Sequence, residues 1–442
     1  MTEEEARSLL LGSGVHTVRV TCADATNIPR SRNVPVRRFL ETGLQAGIQY
    51  PSAMFSVDTS CDFVPAASAG FESGYPSLVL RPDLDTLRVL PWAEGVARVI
   101  CDVEDIEGRP LAVSPRRVLR RVLESAAQQG YAVKAVFEYE FYVLRSAKPS
   151  LEPSWSGHNS YADAVHIQVS DILDQLSRGL SAIGAEVYEA NTEYGPGQFE
   201  ITTRPFDGLE AADMALHYRL AVKEICHRLG YLATFMTKPI SDASASGAHL
   251  HHSLWTAGPA NAFDGPDAEL GLSPACRSFV AGELEHLDAI AAVAAPSVNS
   301  YKRLRPYTFA PANHTWGLEN RMCAIRVPGA RGSGTHLENR LPGADCNPHL
   351  TLAAVVGAGI EGMRQGLEPP VLVAERDAYA EPAPPVPDSL GMALDALQND
   401  QTMRAVMGED FVRTYVALKR HEISRFEAHV TDWEVAEYLE LL

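Results

Sequence analysis

Two carboxylates interrupt a stretch that otherwise has the make-up of a half-buried strand, VFEYEFYVL at residues 136–144. Side chains two apart on a strand share a face, so Glu138 and Glu140 point the same way, their oxygens within reach of each other. A solvated strand face accounts for one such pair as well as a cation site does. Adjacent acids, however, suppress each other's ionisation unless something positive lies between them. The pattern recurs in three more segments. In EYGPGQFEI, Gln198 and Glu200 are two apart, and the GPG turn can fold Glu193 back toward them. SASGAHLHHSLW sets His249 and His251 at the same spacing, and HLENRLP does so for Glu338 and Arg340. Each pair alone could be an exposed face or a structural ion pair. Together, five glutamates and one histidine with no thiolate suit Mg²⁺ or Mn²⁺ better than structural zinc.

Basic residues stand near these acids in sequence: Arg303, Arg305, Arg321, Arg326 and Arg340, in SYKRLRP, ENRMCAIRVP and ENRLP. The guanidinium fork matches carboxylates and phosphates. Metals and arginines around one pocket suggest phosphoryl transfer from a nucleotide, in which catalysis is mostly positioning and charge neutralisation. No GxxxxGK[ST] and no kinase HRD or DFG set occurs, so neither a P-loop nor a protein kinase is in view.

The elements that must position these residues read as two domains, as the length of 442 residues also suggests. Residues 1–105 carry short β-rich pieces, VHTVRVTC, SLVL, LRVL and ARVICDV, around the loop SVDTSCDFVP. Residues 106–442 alternate strands and helices. Ser114 and Pro115 open a helix that lasts to Gly130, and apolar spacing predicts others over 166–183, 208–229, 273–295, 388–406 and 409–427. EPAPPVPDS reads as a stiff surface connection. The composition, 46% hydrophobic and 21% charged, is that of a globular protein, and the net charge of −18 makes nucleic acid or an anionic membrane an unfavourable partner. Seven scattered cysteines without a CxxC pair, an acidic N-terminus and no long apolar run lead us to expect a cytoplasmic protein with no membrane span.

Taken in order, FEYEF, EYGPGQFEI, the Lys238-Pro239 pair followed by SASGAHLHHSLW, NSYKRL, ENRMCAIRVP, HLENRLP and the closing VTDWEVAEYLELL resemble the glutamine synthetase family, on its amine-ligating branch. The resemblance implies an α+β fold: a small N-terminal β-grasp domain, then a catalytic domain built on an antiparallel sheet with helices. It implies a homo-oligomeric ring, hexamer or dodecamer, with active sites between subunits. It also implies an ATP-dependent ligase that phosphorylates the γ-carboxylate of glutamate and then lets an amine attack. By resemblance, Glu140, Glu193 and Glu200 hold one divalent metal, and Glu138, His249 and Glu338 the other. His251, Ser253, Arg326 and His336 match ATP-contacting positions. Arg303 and Arg340 match arginines for the carboxylates of glutamate, and Arg321 and Arg326 those that steady the phosphoryl group.

Departures from the family pattern carry the expected specificity. Phe309, in KRLRPYTFAP, stands where the ammonia-using enzymes carry a flap glutamate; its ring cannot accept a proton but can shape an apolar slot or face an alkylammonium. Ser244 and Ala245 replace Asn and Gly beside the glutamate site, His336 replaces an arginine, and Asp58 matches the ammonium-site aspartate contributed across a subunit interface. The expected product is a γ-glutamylamide of an organic primary amine. Ammonia-dependent glutamine synthesis, a ligase for another acid, and a ring protein without turnover are the alternatives.

Overall fold

The computed structural model describes residues 1–64, 69–148, 150–256 and 258–442; Pro65, the last residue of SVDTSCDFVP, lies outside them. In the N-terminal part, strands Thr17–Ala23 and Val96–Asp105 run parallel at the centre of a sheet. Pro29–Pro35, Ser77–Pro82, Ile48–Pro51 and Arg88–Val89 pair antiparallel around them. The strand Pro29–Pro35 escaped the sequence reading because it is polar and mostly exposed, without the apolar alternation that marks a strand. The helix Glu3–Gly12 also went unread. Thr2 and Glu5 form a reciprocal capping box at its start, and Ala6 and Leu10 are its buried residues.

The second sheet carries the acids. Its longest strand, Tyr131–Ser146, alternates in burial: Val133, Ala135, Phe137, Tyr139 and Phe141 are buried on one side, while Lys134, Val136, Glu138 and Glu140 stand on the other. The order across this sheet is Trp316–Leu318, Ile325–Val327, Leu337–Asn339, Ala248–Thr256, Tyr131–Ser146, Gln198–Thr203 and Val187–Thr192. Pairing is antiparallel as expected, except that Trp316–Leu318 runs parallel to Ile325–Val327.

Helices Pro115–Gln128, Gly208–Arg228 and Pro348–Gln365 contribute to the core that includes the apolar side of the long strand. Ser114 and Pro115 start the first of these as read from the sequence, although the Ser114 side chain makes no capping hydrogen bond. Two predicted helices are each split. The stretch 273–295 is Pro274–Glu285 and Leu287–Ala294, and 388–406 is Leu390–Asn399 and Gln401–Met407. One contact joins the two breaks, because His286 Nδ1 lies 2.6 Å from the Asp400 carboxylate. Asp400 in turn caps the helix Gln401–Met407 through Met403 N at 2.9 Å. No helix among the described residues is long and apolar enough to cross a membrane, and the seven cysteines are free.

Candidate active site

Strand register collects the acids on one side of the second sheet. Glu140 lies opposite Glu200, Glu138 opposite His249, and Glu338 opposite both His251 and Arg326. Cross-strand partners project to the same side, so five strands deliver these groups to one face. Two glycines let the backbone close around them. Gly197, in the turn leading to Glu200, has φ +78°, and a Cβ there would meet the Val143 carbonyl at 2.8 Å. At Gly247 a Cβ would come within 2.8 Å of both Arg303 Nη2 and His249 Nε2.

The polar contacts divide the face into two halves. In one, His249 Nδ1 lies 2.9 Å from Glu138 Oε1 and 3.6 Å from Glu338 Oε1, and His251 Nε2 lies 3.4 Å from Glu138 Oε2. Ligand atoms of Glu138, His251 and Glu338 all fall within 4.8 Å of one another, and His249 lies beside the same two acids. The far nitrogen of the His249 ring lies 3.4 Å from Arg303 Nη2. In the other half, Glu140 accepts from Gly247 N at 2.9 Å and Gln198 Nε2 at 3.1 Å. Glu193 accepts from Tyr161 Oη at 2.9 Å and Asn191 Nδ2 at 3.1 Å.

Electrostatics separate the halves further. Burial, then the charges of Glu138, Glu140 and Glu193, push the Glu200 carboxyl up to about 10. Burial and Glu193 push Glu140 up to about 7, and burial raises Glu193. Burial also opposes ionisation of Glu138, but His249 and His251 beside it prevail and hold it well below the usual carboxylate range. Glu338 is lowered despite its burial by His251, Arg340 and His249, while burial and Arg340 drop His249 to about 4. Buried oxygens that repel one another, with no thiolate among them, are the donor set a hard divalent cation satisfies. The residues therefore fit the metals the family pattern implies.

The arginines are built into the same face. Arg326 Nη1 donates to Glu338 Oε2 at 2.6 Å, and its Nε and Nη2 donate to Glu319 Oε2. Arg340 Nη1 donates to Glu338 Oε1, and its Nη2 reaches the Phe309 carbonyl at 3.3 Å. Buried Arg303 donates to the carbonyls of Leu341 and Arg340, both at 3.0 Å. Ser244 Oγ donates to Gln198 Oε1, and the Ala245 carbonyl accepts from Gln198 Nε2 at 3.1 Å. Gln198 thus ties that loop to Glu140. His251, Ser253 and His336 line a cavity of about 470 Å³ with Trp255 and Tyr188, and His336 Nε2 sits 3.2 Å from His251 Nδ1. Burial and His251 lower the His336 ring.

Three predicted residues stand apart from this constellation. Arg321 is exposed and makes no side-chain hydrogen bond or ion pair among the described residues. The Phe309 ring is exposed, though its backbone joins the site through Arg340. Asp58 is not brought to the acids within the chain. It is buried, accepts from Ser60 N and Asp62 N, and pairs with Arg425 of the helix Glu409–Glu427. Sequence reasoning gave no role to Tyr161, Asn191 or Glu319, which hold Glu193 and Arg326: Tyr161 and Glu319 are loop positions without a periodic signal, and Asn191 lies on an edge strand, Val187–Thr192, whose partner the sequence does not name.

The chain is similar to known proteins over nearly its whole length. The family model of the glutamine synthetase catalytic domain matches residues 112–438. The glutamate–isopropylamine ligase of a Pseudomonas species is 34% identical, over 99% of this chain and 98% of its own length. The glutamine synthetase of Thermotoga maritima is 35% identical over 100% of both. The solved GmaS/ADP complex superposes with a TM-score of 0.88 at 29% identity, covering 98% of this chain and 99% of that one. The chain belongs to the glutamine synthetase family of ATP-dependent ligases that form carbon–nitrogen bonds.

Proposed function

We propose that the chain transfers the γ-phosphoryl group of ATP to the γ-carboxylate of glutamate, or a close analogue, and condenses the acyl phosphate with an organic primary amine. In the first step an oxygen–phosphorus bond forms and ADP leaves. In the second, the amine nitrogen bonds to the carbonyl carbon, phosphate leaves, and the nitrogen loses a proton to give the γ-glutamylamide. The observation that carries the organic amine is the Arg340 bridge. One guanidinium nitrogen holds Glu338 and another the Phe309 carbonyl, tying to the acid cluster a loop, residues 305–310, that contains no acid. A relative named for isopropylamine supports the same reading.

In this reading Glu140, Glu193 and Glu200 hold one divalent cation and Glu138, His249 and Glu338 a second, with His251 close enough to contribute. Bound cations would neutralise phosphate charge. Ser253, His251 and His336 line the nucleotide cavity. Arg303 and Arg340 bind the carboxylates of glutamate beside Ser244 and Ala245, and Arg321 and Arg326 steady the phosphoryl group. Asp58 serves a neighbouring subunit within a hexameric or dodecameric ring. The closing helix Asp432–Tyr438 supports assembly, since it has no buried residue and exposes Trp433, Val435 and Tyr438. We further read residues 1–105 as a β-grasp domain, 106–442 as the catalytic domain, and the cytoplasm as its location.

The test is phosphate release from ATP with Mg²⁺ and glutamate, comparing ammonium with alkyl, aryl and hydroxyalkyl amines and confirming products by mass. A preferred organic amine supports the proposal. Turnover with ammonium alone would make the protein a glutamine synthetase, and silence with every amine would point to another acid or to a ring without turnover.

A further inference from the structure

Behind the acid face, the same strands carry a second polar group that the proposed chemistry does not use. His252 lies opposite Ala135, and Asn339 opposite Leu250, so both point to the apolar side of the sheet, away from His251 and Glu338. There they meet Glu283 of the helix Pro274–Glu285, a residue with 0% exposure. Glu283 Oε1 lies 2.8 Å from His252 Nε2, and its Oε2 accepts from Asn339 Nδ2 at 2.7 Å. The rest of the group is also engaged. His252 Nδ1 is 3.1 Å from the Leu250 carbonyl, and Asn339 Oδ1 accepts from Leu341 N at 3.0 Å. Buried Phe263 and Phe279 stand beside them, with ring centroids 6.5 and 5.4 Å from that of His252.

Withdrawing a carboxylate into such surroundings is costly, and an apolar side chain would fill the same space at less cost. What the carboxylate adds is a link between two strands. Leu337–Asn339 is three residues long; it pairs over three positions with Ala248–Thr256 and over two with Ile325–Val327, so few backbone bonds hold it. Glu283 joins His252 on the longer neighbour to Asn339 on this short strand. The residues next to these two, on the opposite face, are His251 and Glu338. They are cross-strand partners, and their ligand atoms converge with one of Glu138. Among the described residues Glu283 has hydrogen bonds to His252 and Asn339 alone, so it acts on the spacing of the acid face without touching it.

We propose that Glu283 is a positioning residue that fixes Leu337–Asn339 against Ala248–Thr256 and so sets the spacing of Glu338 from Glu138 and His251 for a divalent cation, a role that rests on reading the acid face as a cation site. The test is calorimetric titration of Mg²⁺ into the metal-free full chain, with thermal unfolding of the same samples. It compares the unaltered protein with Glu283→Leu, Glu283→Gln and the double variant Glu283→Leu/His252→Leu. Glu283→Leu leaves two buried polar groups unpaired and should lower the thermal midpoint. The double variant replaces the pair by apolar groups and should recover that midpoint, which keeps the test valid even where Glu283→Leu does not fold. Both leucine variants should nonetheless weaken one of the two Mg²⁺ binding steps about tenfold, the size of effect expected from a group that orients a ligand, and spare the step that Glu140, Glu193 and Glu200 serve. Glutamine offers a carbonyl to Asn339 and an N–H to His252, so Glu283→Gln should rescue the binding that leucine loses. Mg²⁺ affinity that returns with the midpoint in the double variant would make Glu283 a packing residue and overturn the proposal. An equal loss at both binding steps, or a loss in Glu283→Gln as large as in the double variant, would overturn it too. No Mg²⁺ binding by the unaltered protein would overturn the cation-site reading and the positioning role with it.

Discussion

Two buried charge clusters in this chain have opposite logic. Around Arg116, three aspartates are matched by guanidinium groups: Arg116 meets Asp83, Asp102 and Asp213 at 2.6, 2.7 and 2.8 Å, Arg120 meets Asp102 at 2.8 Å, and His349 meets Asp213 at 2.9 Å. Burial would raise Asp213, yet the Arg116 charge pulls it well below the ordinary range. On the sheet face, Glu140, Glu193 and Glu200 are half-buried, acids are the leading charges that act on them, and all three are pushed up. A satisfied cluster holds elements together; an unsatisfied one reserves its charge for something that arrives.

Substitution should separate the two clusters most sharply. Glu200→Ala is expected to lower turnover by about 10³-fold, as loss of a group that stabilises transferring charge does. Its thermal midpoint should stay equal or rise, because repulsion among the remaining acids falls. Asp213→Ala should do the reverse. Leaving Arg116 buried with one partner fewer is expected to cost about 3–5 kcal/mol in denaturant unfolding, with kcat per folded molecule nearly unchanged. Unfolding of Glu200→Ala, or a large loss of kcat in a folded Asp213→Ala, would erase the distinction.

Dependence on pH gives a second, smaller contrast. Glu140 and Glu200 bind protons more tightly in the folded chain than in the unfolded one, so the metal-free fold should lose stability as pH rises from about 4.5 through about 7, where Glu140 ionises. Asp213 has the opposite sign, and its contribution is present at neutral pH and lost only in strong acid. Chemical denaturation of metal-free protein between pH 5 and 8, repeated with Mg²⁺, measures the difference. We expect a downward slope without the cation and a flatter, higher curve with it.

Much of the acid cluster was legible because spacing of two is a direct statement about strand faces. FEYEF, GQFE and HLH each announce which side chains share a side, and the register then aligns Glu138 with His249 and Glu140 with Glu200. The strand Leu337–Asn339 is only three residues long, too short for a periodic signal, so the meeting of Glu338 with Arg326 and His251 was not readable. The Asp58–Arg425 pair spans 367 positions, which no local pattern can relate. Helix breaks at His286 and Asp400 were hidden for the same reason, since each is stabilised by the other across the fold. Nothing in KRLRPYTFAP announces that Tyr307 and Phe309 adopt left-handed backbone conformations, because neither residue type favours them.

The smallest expected effect concerns the loop that borders the acids. Phe309→Glu introduces a carboxylate there and should shift the ratio of kcat/KM for ammonium to that for an organic amine by about tenfold toward ammonium, within the range that single pocket contacts deliver. An unchanged ratio would place Phe309 outside the amine site.

Calorimetric titration of Mg²⁺ into the metal-free protein near pH 7.5, run in buffers of different ionisation enthalpy, asks most directly whether the sheet face is a cation site. Because Glu200 and part of the Glu140 population are protonated there, binding should release protons into the buffer, and Glu200→Gln should reduce both affinity and release. Absence of binding, or binding without proton release that Glu200→Gln leaves unchanged, would contradict the assignment of these carboxylates as its ligands.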